Sequence, residues 1–196
     1  MPDYNAAITS QLFWVQEART TAKLLNEGKT NQEVLELSLN ENIYMAPSFD
    51  RKRTICNVTI RRMSALTPDL IELMANTDIS TARLINLLSI LLTNDLFKDF
   101  MVEVFKSKKI LGEKTVTIND VRKYLEAKAA VYEDVNNISE PSQKKICSTY
   151  IKMLAEAGLV ENTKTGTIVQ PYIDYQLQSL LELHGYRDYM FIITGE

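Results

Sequence analysis

Hydrophobic residues recur at intervals of three and four through the first hundred positions, which is the spacing of an amphipathic α-helix. The first such segment runs from about Ala7 to Glu27 and stops at Gly28, a residue that readily takes the left-handed conformation found just beyond helix ends. Later helix starts are marked by residues typical of helix N-termini, namely Thr30, Ser48, Thr67, Asp78 and Asn94. No strand pattern precedes residue 110. The segment 1–108 is therefore predicted to be an N-terminal helical bundle.

A polar, basic connection between Lys106 and Thr117 separates this bundle from the rest of the chain. We predict a domain boundary there, with 109–196 as the second domain. In that domain one helix is predicted from Thr117 or Asn119 to about residue 131, and a second from Ser139 to Gly158. A last helix is predicted over about 174–184.

Two short β-favouring runs follow the second of these helices. Leu159–Glu161 and Thr167–Val169 flank a five-residue turn that contains Gly166, a pattern typical of a β-hairpin. Helix, loop, helix and hairpin is the element order of a winged helix-turn-helix. The predicted fold is therefore mainly α, with an N-terminal helical bundle followed by a winged helix-turn-helix that has a small β-hairpin.

The helix from Ser142 to Ala157 has one apolar side and one side rich in hydrogen-bond donors. The donor side carries Lys144, Lys145, Ser148, Thr149 and Lys152. Lysines and hydroxyls bind phosphate oxygens and can reach base edges in the major groove of DNA, so these residues are candidate DNA contacts. The alternative interpretation is that the lysines form the solvated side of an ordinary surface helix.

The surroundings of this helix favour DNA contact. Lys164 lies at the tip of the predicted hairpin, and Arg122 and Lys123 lie on the preceding helix. The stretch from Val104 to Lys128 contains seven basic and three acidic residues, a surplus of +4 in a chain whose net charge is -3. We therefore predict double-stranded DNA as a partner of this region.

A second basic cluster lies in the third predicted helix and includes Arg51, Arg61 and Arg62. Arg51 and Arg62 are eleven residues apart and project the same way along a helix, whereas Arg61 points elsewhere. Two interpretations stay equally open. The arginines extend the nucleic-acid contact, or they pair with carboxylates such as Asp50 or Asp69 and hold helices together.

Composition limits the chemistry that the chain can perform. The 196 residues include 22 basic and 25 acidic ones, two cysteines and a single histidine, His184. Two distant cysteines favour a reducing, cytoplasmic setting, and the apolar stretch 84–92 is too short to span a membrane. No phosphate loop, nucleophile motif or metal-ligand spacing is present. We therefore expect a non-enzymatic protein without catalytic residues, metal or cofactor.

Several segments resemble the BrxA proteins of bacterial BREX phage-defence systems. The resemblance is carried by residues 7–9 and 17–19, the helix end 24–28, the segment 40–42 leading into 51–62, the lysine helix, and residues 154–160. It implies a small, mostly helical cytoplasmic component of an antiviral system that distinguishes self from phage DNA, with double-stranded DNA binding as its activity. No family motif fixes which basic residues would bind.

Two other function classes compete with DNA binding. A protein-interaction adaptor for other defence proteins would expose an apolar patch, around Trp14 or the tail Tyr189 to Ile193. An RNA-binding helical protein would need the arginine cluster to face solvent.

Overall fold

A computed structural model describes residues 4–195 and shows a mainly helical chain. A short 3₁₀ turn, Ala7–Thr9, precedes the first α-helix, and a π-helical segment, Met101–Lys106, lies between two of the later ones. The α-helices are α1 (Val15–Asn26), α2 (Asn31–Glu41), α3 (Phe49–Ser64), α4 (Pro68–Asn76), α5 (Ile79–Thr93), α6 (Asp95–Phe100), α7 (Ser107–Ile110), α8 (Ile118–Ala129), α9 (Glu133–Asn136), α10 (Glu140–Ala157), α11 (Tyr175–Leu183) and α12 (Arg187–Thr194). No helix within 4–195 is both long enough and apolar enough to cross a bilayer.

Several predicted helix boundaries are confirmed by the hydrogen bonds that fix them. Thr30 accepts from the Glu33 amide at 3.2 Å, and the Glu33 carboxylate accepts in return from the Thr30 amide at 2.7 Å. Asp78 accepts from the amides of Ser80 and Thr81 at 2.8 and 3.1 Å at the start of α5. Each of these caps satisfies amides that have no partner inside the helix.

The described residues form two compact units whose bounds differ from the predicted boundary at 108/109. One unit contains residues 4–12, 94–173 and 181–195, and the other contains residues 13–93 and 174–180. We call them the C-terminal unit and the N-terminal unit. The N-terminal segment 4–12 belongs to the C-terminal unit, a long-range pairing with no local sequence signal. The sequence-based domain division stays a prediction.

The N-terminal unit is built around α5, whose residues 84–91 are all buried. Helices α1, α3 and α4 pack on α5, and α2 packs on α3. A buried hydroxyl network lies inside this unit, where Thr21 bonds to Tyr44 at 2.7 Å and to Thr59 at 2.8 Å. These polar groups are satisfied, so their burial costs little.

The core of the C-terminal unit is an aromatic cluster on α6, α8 and α10. The Tyr150 ring lies 4.7 Å from the Phe97 ring and 5.1 Å from the Phe100 ring, and Tyr124 contacts Phe100 at 5.5 Å. Helices α8 and α10 pack against each other, and the 3₁₀ turn packs on α10. This cluster holds α10 in place and leaves one narrow side of it exposed.

The predicted β-hairpin does not form a sheet within the described residues. It is reduced to isolated antiparallel bridges, Val160 to Ile168 and Thr115 to Thr167. The bridge with Thr115 brings in a third segment that precedes α8 and that the sequence did not indicate. Each run is only about three residues long and pairs at one position, so a continuous ladder does not develop.

Candidate nucleic-acid interface

Helix α10 presents a narrow polar strip to solvent. Lys144, Lys145, Ser148 and Lys152 are all exposed, and they fall within an arc of about 100° around the helix. The helix ends at Gly158, which has a φ of 79°. We call these four residues the α10 strip.

The prediction for Thr149 is corrected by its burial. Thr149 is only 8% exposed, and Ile151, on the other edge of the α10 strip, is 2% exposed. The apolar side of α10 is wider than the periodicity indicated because helix α8 and the 3₁₀ turn both pack on it. Thr149 is therefore not available as a DNA contact.

Arg122 and Lys123 are exposed on α8, the helix that packs against α10. Arg122 also lies near Cys147 of α10. Burial raises the pKa of the Cys147 thiol, while the Arg122 guanidinium acts to lower it and the Glu126 carboxylate to raise it. Cys147 is about 60° around the helix from Lys144, so Arg122 borders the Lys144 edge of the α10 strip.

Lys164 lies at the exposed tip of the turn that follows α10. The Asn162 side chain accepts from the amides of Lys164 and Thr165 at 2.9 and 3.0 Å, so the turn is fixed by its own hydrogen bonds. Backbone bonds from Val116 to Gly166 at 2.9 Å and from Ile168 to residue 114 at 2.8 Å attach the turn to the segment before α8.

Lys114 is exposed and was not among the predicted DNA contacts. Its backbone carbonyl bonds to Ile168, so Lys114 lies beside the bridged segment that carries Lys164. The sequence does indicate Lys114 in one way, because this residue lies in the basic stretch directly before the start of α8.

Part of the basic surplus between residues 104 and 128 is internal. Lys128 is 8% exposed and pairs with Asp99 at 3.0 Å and with Glu103 at 2.7 Å. Lys108 pairs with Glu113 and Asp120. These lysines hold the C-terminal unit together, so the charge available for a polyanion is smaller than the sequence count.

Three exposed cations of this surface are paired with carboxylates four residues away on the same helix. Lys144 lies 2.7 Å from Glu140, Arg122 lies 3.8 Å from Glu126, and Lys152 lies 4.0 Å from Glu156. The Lys144 ammonium lowers the pKa of the Glu140 carboxylate. Lys123, Lys145 and Lys164 make no ion pair with any residue in 4–195.

The predicted arginine cluster lies in the N-terminal unit, and two of its three arginines are buried or half-buried. Arg62 is 1% exposed and donates to the Phe13 carbonyl at 2.9 Å, and burial lowers its pKa to about 9. Arg51 is half-buried, with its guanidinium 4.6 Å from the Trp14 ring centroid. Of the three predicted contacts, only Arg61 is exposed.

Comparison with known proteins identifies the family. The sequence model of the BrxA family matches residues 2–185. The chain belongs to the BrxA family. A BREX protein BrxA from Bacillus cereus (strain H3081.97) is 32% identical over 194 residues, covering 98% of this chain and 97% of that protein. A BREX protein BrxA from Escherichia coli O9:H4 (strain HS) is 22% identical over 181 residues, covering 92% and 85%.

The fold of this BrxA family member also occurs in a solved structure. The crystal structure of an uncharacterized protein from Magnetospirillum magneticum matches with a TM-score of 0.83 at 19% identity and covers 100% of both chains. At this identity the likeness concerns the fold alone.

The surfaces that the two competing function classes require are present in part on this BrxA chain. The adaptor hypothesis expected exposure of Trp14 or of the tail Tyr189 to Ile193; Trp14, Ile192 and Ile193 are buried, whereas residues 189–191 are half-buried. The RNA hypothesis expected solvent-facing arginines; Arg62 is enclosed, Arg51 is half-buried and Arg61 is exposed. Within residues 4–195, no group of three or more His, Cys, Asp or Glu side chains is placed to hold a metal ion.

Proposed function

We propose that this chain is a non-enzymatic, double-stranded DNA-binding component of a BREX phage-defence system. The observation that carries the proposal is the α10 strip, a row of lysines and a serine on the one exposed side of an otherwise enclosed helix. The resemblance to BREX proteins from Bacillus cereus and Escherichia coli supports the defence setting. Other proteins of that system are proposed as further partners, and the cytoplasmic location stays a prediction.

The element order supports a winged-helix mode of DNA binding. Helix α8, the loop with α9, helix α10 and the bridged turn follow one another as the helices and wing of that motif do. In such motifs the second helix enters the major groove and flanking elements contact the backbone. On this proposal the α10 strip enters the groove, and Lys164, Lys114, Arg122 and Lys123 contact phosphates on either side.

The chemistry of the strip predicts weak sequence selectivity. Its cations are lysines, which contact phosphate as point charges, whereas arginines read guanine with two hydrogen bonds in a fixed geometry. Most of the binding free energy would therefore come from phosphate contacts and the release of counterions. Affinity should fall steeply as salt concentration rises.

A salt titration with two charge-matched triple variants tests the proposal. The first variant is Lys144→Gln/Lys145→Gln/Lys152→Gln, and the control removes three exposed cations of the N-terminal unit, Lys23→Gln/Lys29→Gln/Arg53→Gln. Dissociation constants for a labelled duplex are measured by fluorescence anisotropy over a range of salt concentrations. Both variants lower the net charge by the same amount, so only the position of the removed cations distinguishes them.

We expect the α10 variant to bind at least about tenfold more weakly than the control at low salt. Its log–log salt slope should be smaller by about 0.9 for each phosphate group that the variant no longer neutralises. Equal affinities and equal slopes for the two variants would remove α10 from the interface and contradict the proposed function.

A further inference from the structure

The cations of the candidate interface fall into two groups. Lys144, Arg122 and Lys152 each have a carboxylate four residues away on the same helix, whereas four others, Lys114, Lys123, Lys145 and Lys164, make no ion pair with a described residue. Both groups occur on each of the two helices, since Lys144 and Lys145 are consecutive on α10 and Arg122 and Lys123 are consecutive on α8.

The Lys144–Glu140 pair is the clearest member of the first group. The Nζ and Oε1 atoms are 2.7 Å apart, and the two side chains are 76% and 78% exposed. Water surrounds both groups, so the pair adds little to the stability of the protein. Lys144 can therefore leave Glu140 for another anion at little cost to the stability of the fold.

A phosphate oxygen would have to take the position that the carboxylate now occupies. Lys144 would exchange one anionic partner for another, so part of the attraction to DNA would be cancelled by the separation of Lys144 from Glu140. After the exchange, the carboxylate would lie unpaired beside the phosphate and repel it. Lys145 has no such partner, so it would contribute its full attraction.

We propose that Glu140, Glu126 and Glu156 compete with DNA phosphate for the cations of this surface and so limit the affinity for DNA of any sequence. This inference rests on the proposed function. It assigns a role to three carboxylates that would otherwise only weaken the binding of DNA. The chain keeps the four cations without an ion pair for first contact with the duplex, and the three paired ones engage only when phosphate displaces a carboxylate. The result is readily reversible binding to duplex DNA.

A double-mutant cycle on Lys144 and Glu140 tests the competition. Affinities for a labelled duplex are measured at low salt for the wild-type protein, Glu140→Gln, Lys144→Gln and the double variant. Glu161→Gln, alone and combined with Lys144→Gln, is the charge-matched control, because Glu161 is exposed near the turn and makes no ion pair with a described residue. Every substituted side chain is exposed, and circular dichroism checks that each variant is folded.

We expect Glu140→Gln to tighten binding about twofold more than Glu161→Gln does, which is the value of one exposed pair with this spacing. In the Lys144→Gln background the extra gain should vanish, since the contested cation is gone. A gain of equal size in both backgrounds, or no gain at all, would overturn the inference, because a general reduction of negative charge would be additive.

Lys145→Gln separates failure of this inference from failure of the proposed function. If Lys145→Gln weakens binding while Lys144 and Glu140 show no coupling, DNA binding stands and the competition is refuted. If Lys145→Gln leaves binding unchanged, or if the wild-type protein does not bind duplex DNA, the proposed interface falls and the inference falls with it.

Discussion

The hydroxyl of Tyr150 is fully buried in the core behind the α10 strip and has no hydrogen-bond partner among residues 4–195. Tyr124, in the same aromatic cluster, donates from its hydroxyl to the Leu96 carbonyl at 2.8 Å. The two tyrosines therefore form a matched pair, one with a satisfied hydroxyl and one without. Replacing each by Phe removes the same atom and keeps the ring contacts.

The expected effects have opposite signs. Burial of an unpaired hydroxyl costs about 1–3 kcal/mol, so Tyr150→Phe should raise the free energy of unfolding by about 1 kcal/mol. That gain corresponds to about 3 °C in Tm for a chain of this size. Tyr124→Phe loses a buried hydrogen bond and should lower the free energy of unfolding by about 1 kcal/mol.

Thermal unfolding followed by circular dichroism measures both variants against the wild-type protein. The difference between them, about 2 kcal/mol, exceeds the usual error of such measurements and does not depend on ring packing. The reasoning would be refuted if Tyr150→Phe destabilised the protein as much as Tyr124→Phe. That result would mean that the Tyr150 hydroxyl is satisfied in solution.

Three further substitutions test other parts of the structure. Gly166→Ala would place a Cβ 1.9 Å from the Val116 carbonyl oxygen, so we expect disruption of the bridged turn, a lower Tm and weaker duplex binding by anisotropy. Asp78→Ala should cost about 1 kcal/mol at neutral pH in urea unfolding; because hydrogen bonds lower the Asp78 pKa, this cost should shrink as pH falls below about 4. Lys128→Met leaves Asp99 without its cation and should lower the free energy of unfolding by about 3 kcal/mol in urea unfolding. A change near zero would contradict a stabilising role for the ion pairs of Lys128 with Asp99 and Glu103.

Features determined by neighbouring residues were predictable from the sequence. The cap formed by Thr30 and Glu33 and the helix end at Gly158 depend on side chains and backbone a few positions apart, so their local patterns are sufficient. The exposed lysines of α10 followed from the helical period for the same reason. That period gives the direction of each side chain but not how far neighbouring elements reach around the helix, which is why Thr149 was misplaced.

Features determined by distant segments could not be predicted. Arg62 is buried and donates to the Phe13 carbonyl, 49 positions away, and no local pattern marks that contact. The bridge between Thr115 and Thr167 joins single residues, so no alternation of apolar and polar positions marks it in the sequence. The predicted hairpin likewise depended on propensity alone, which is a weak guide for runs of three residues.

The packing of residues 4–12 into the C-terminal unit has a consequence for biosynthesis. The Tyr4 hydroxyl bonds to Asp99 and to Lys128, partners that lie 95 and 124 positions later in the chain. A ribosome synthesises residues 4–12 before their partners, so Tyr4 stays without its final neighbours until Lys128 has been synthesised, and Ile8 until α10 has. Residues 4–12 are thus among the last described segments to reach their native position, and closing so long a loop is slow.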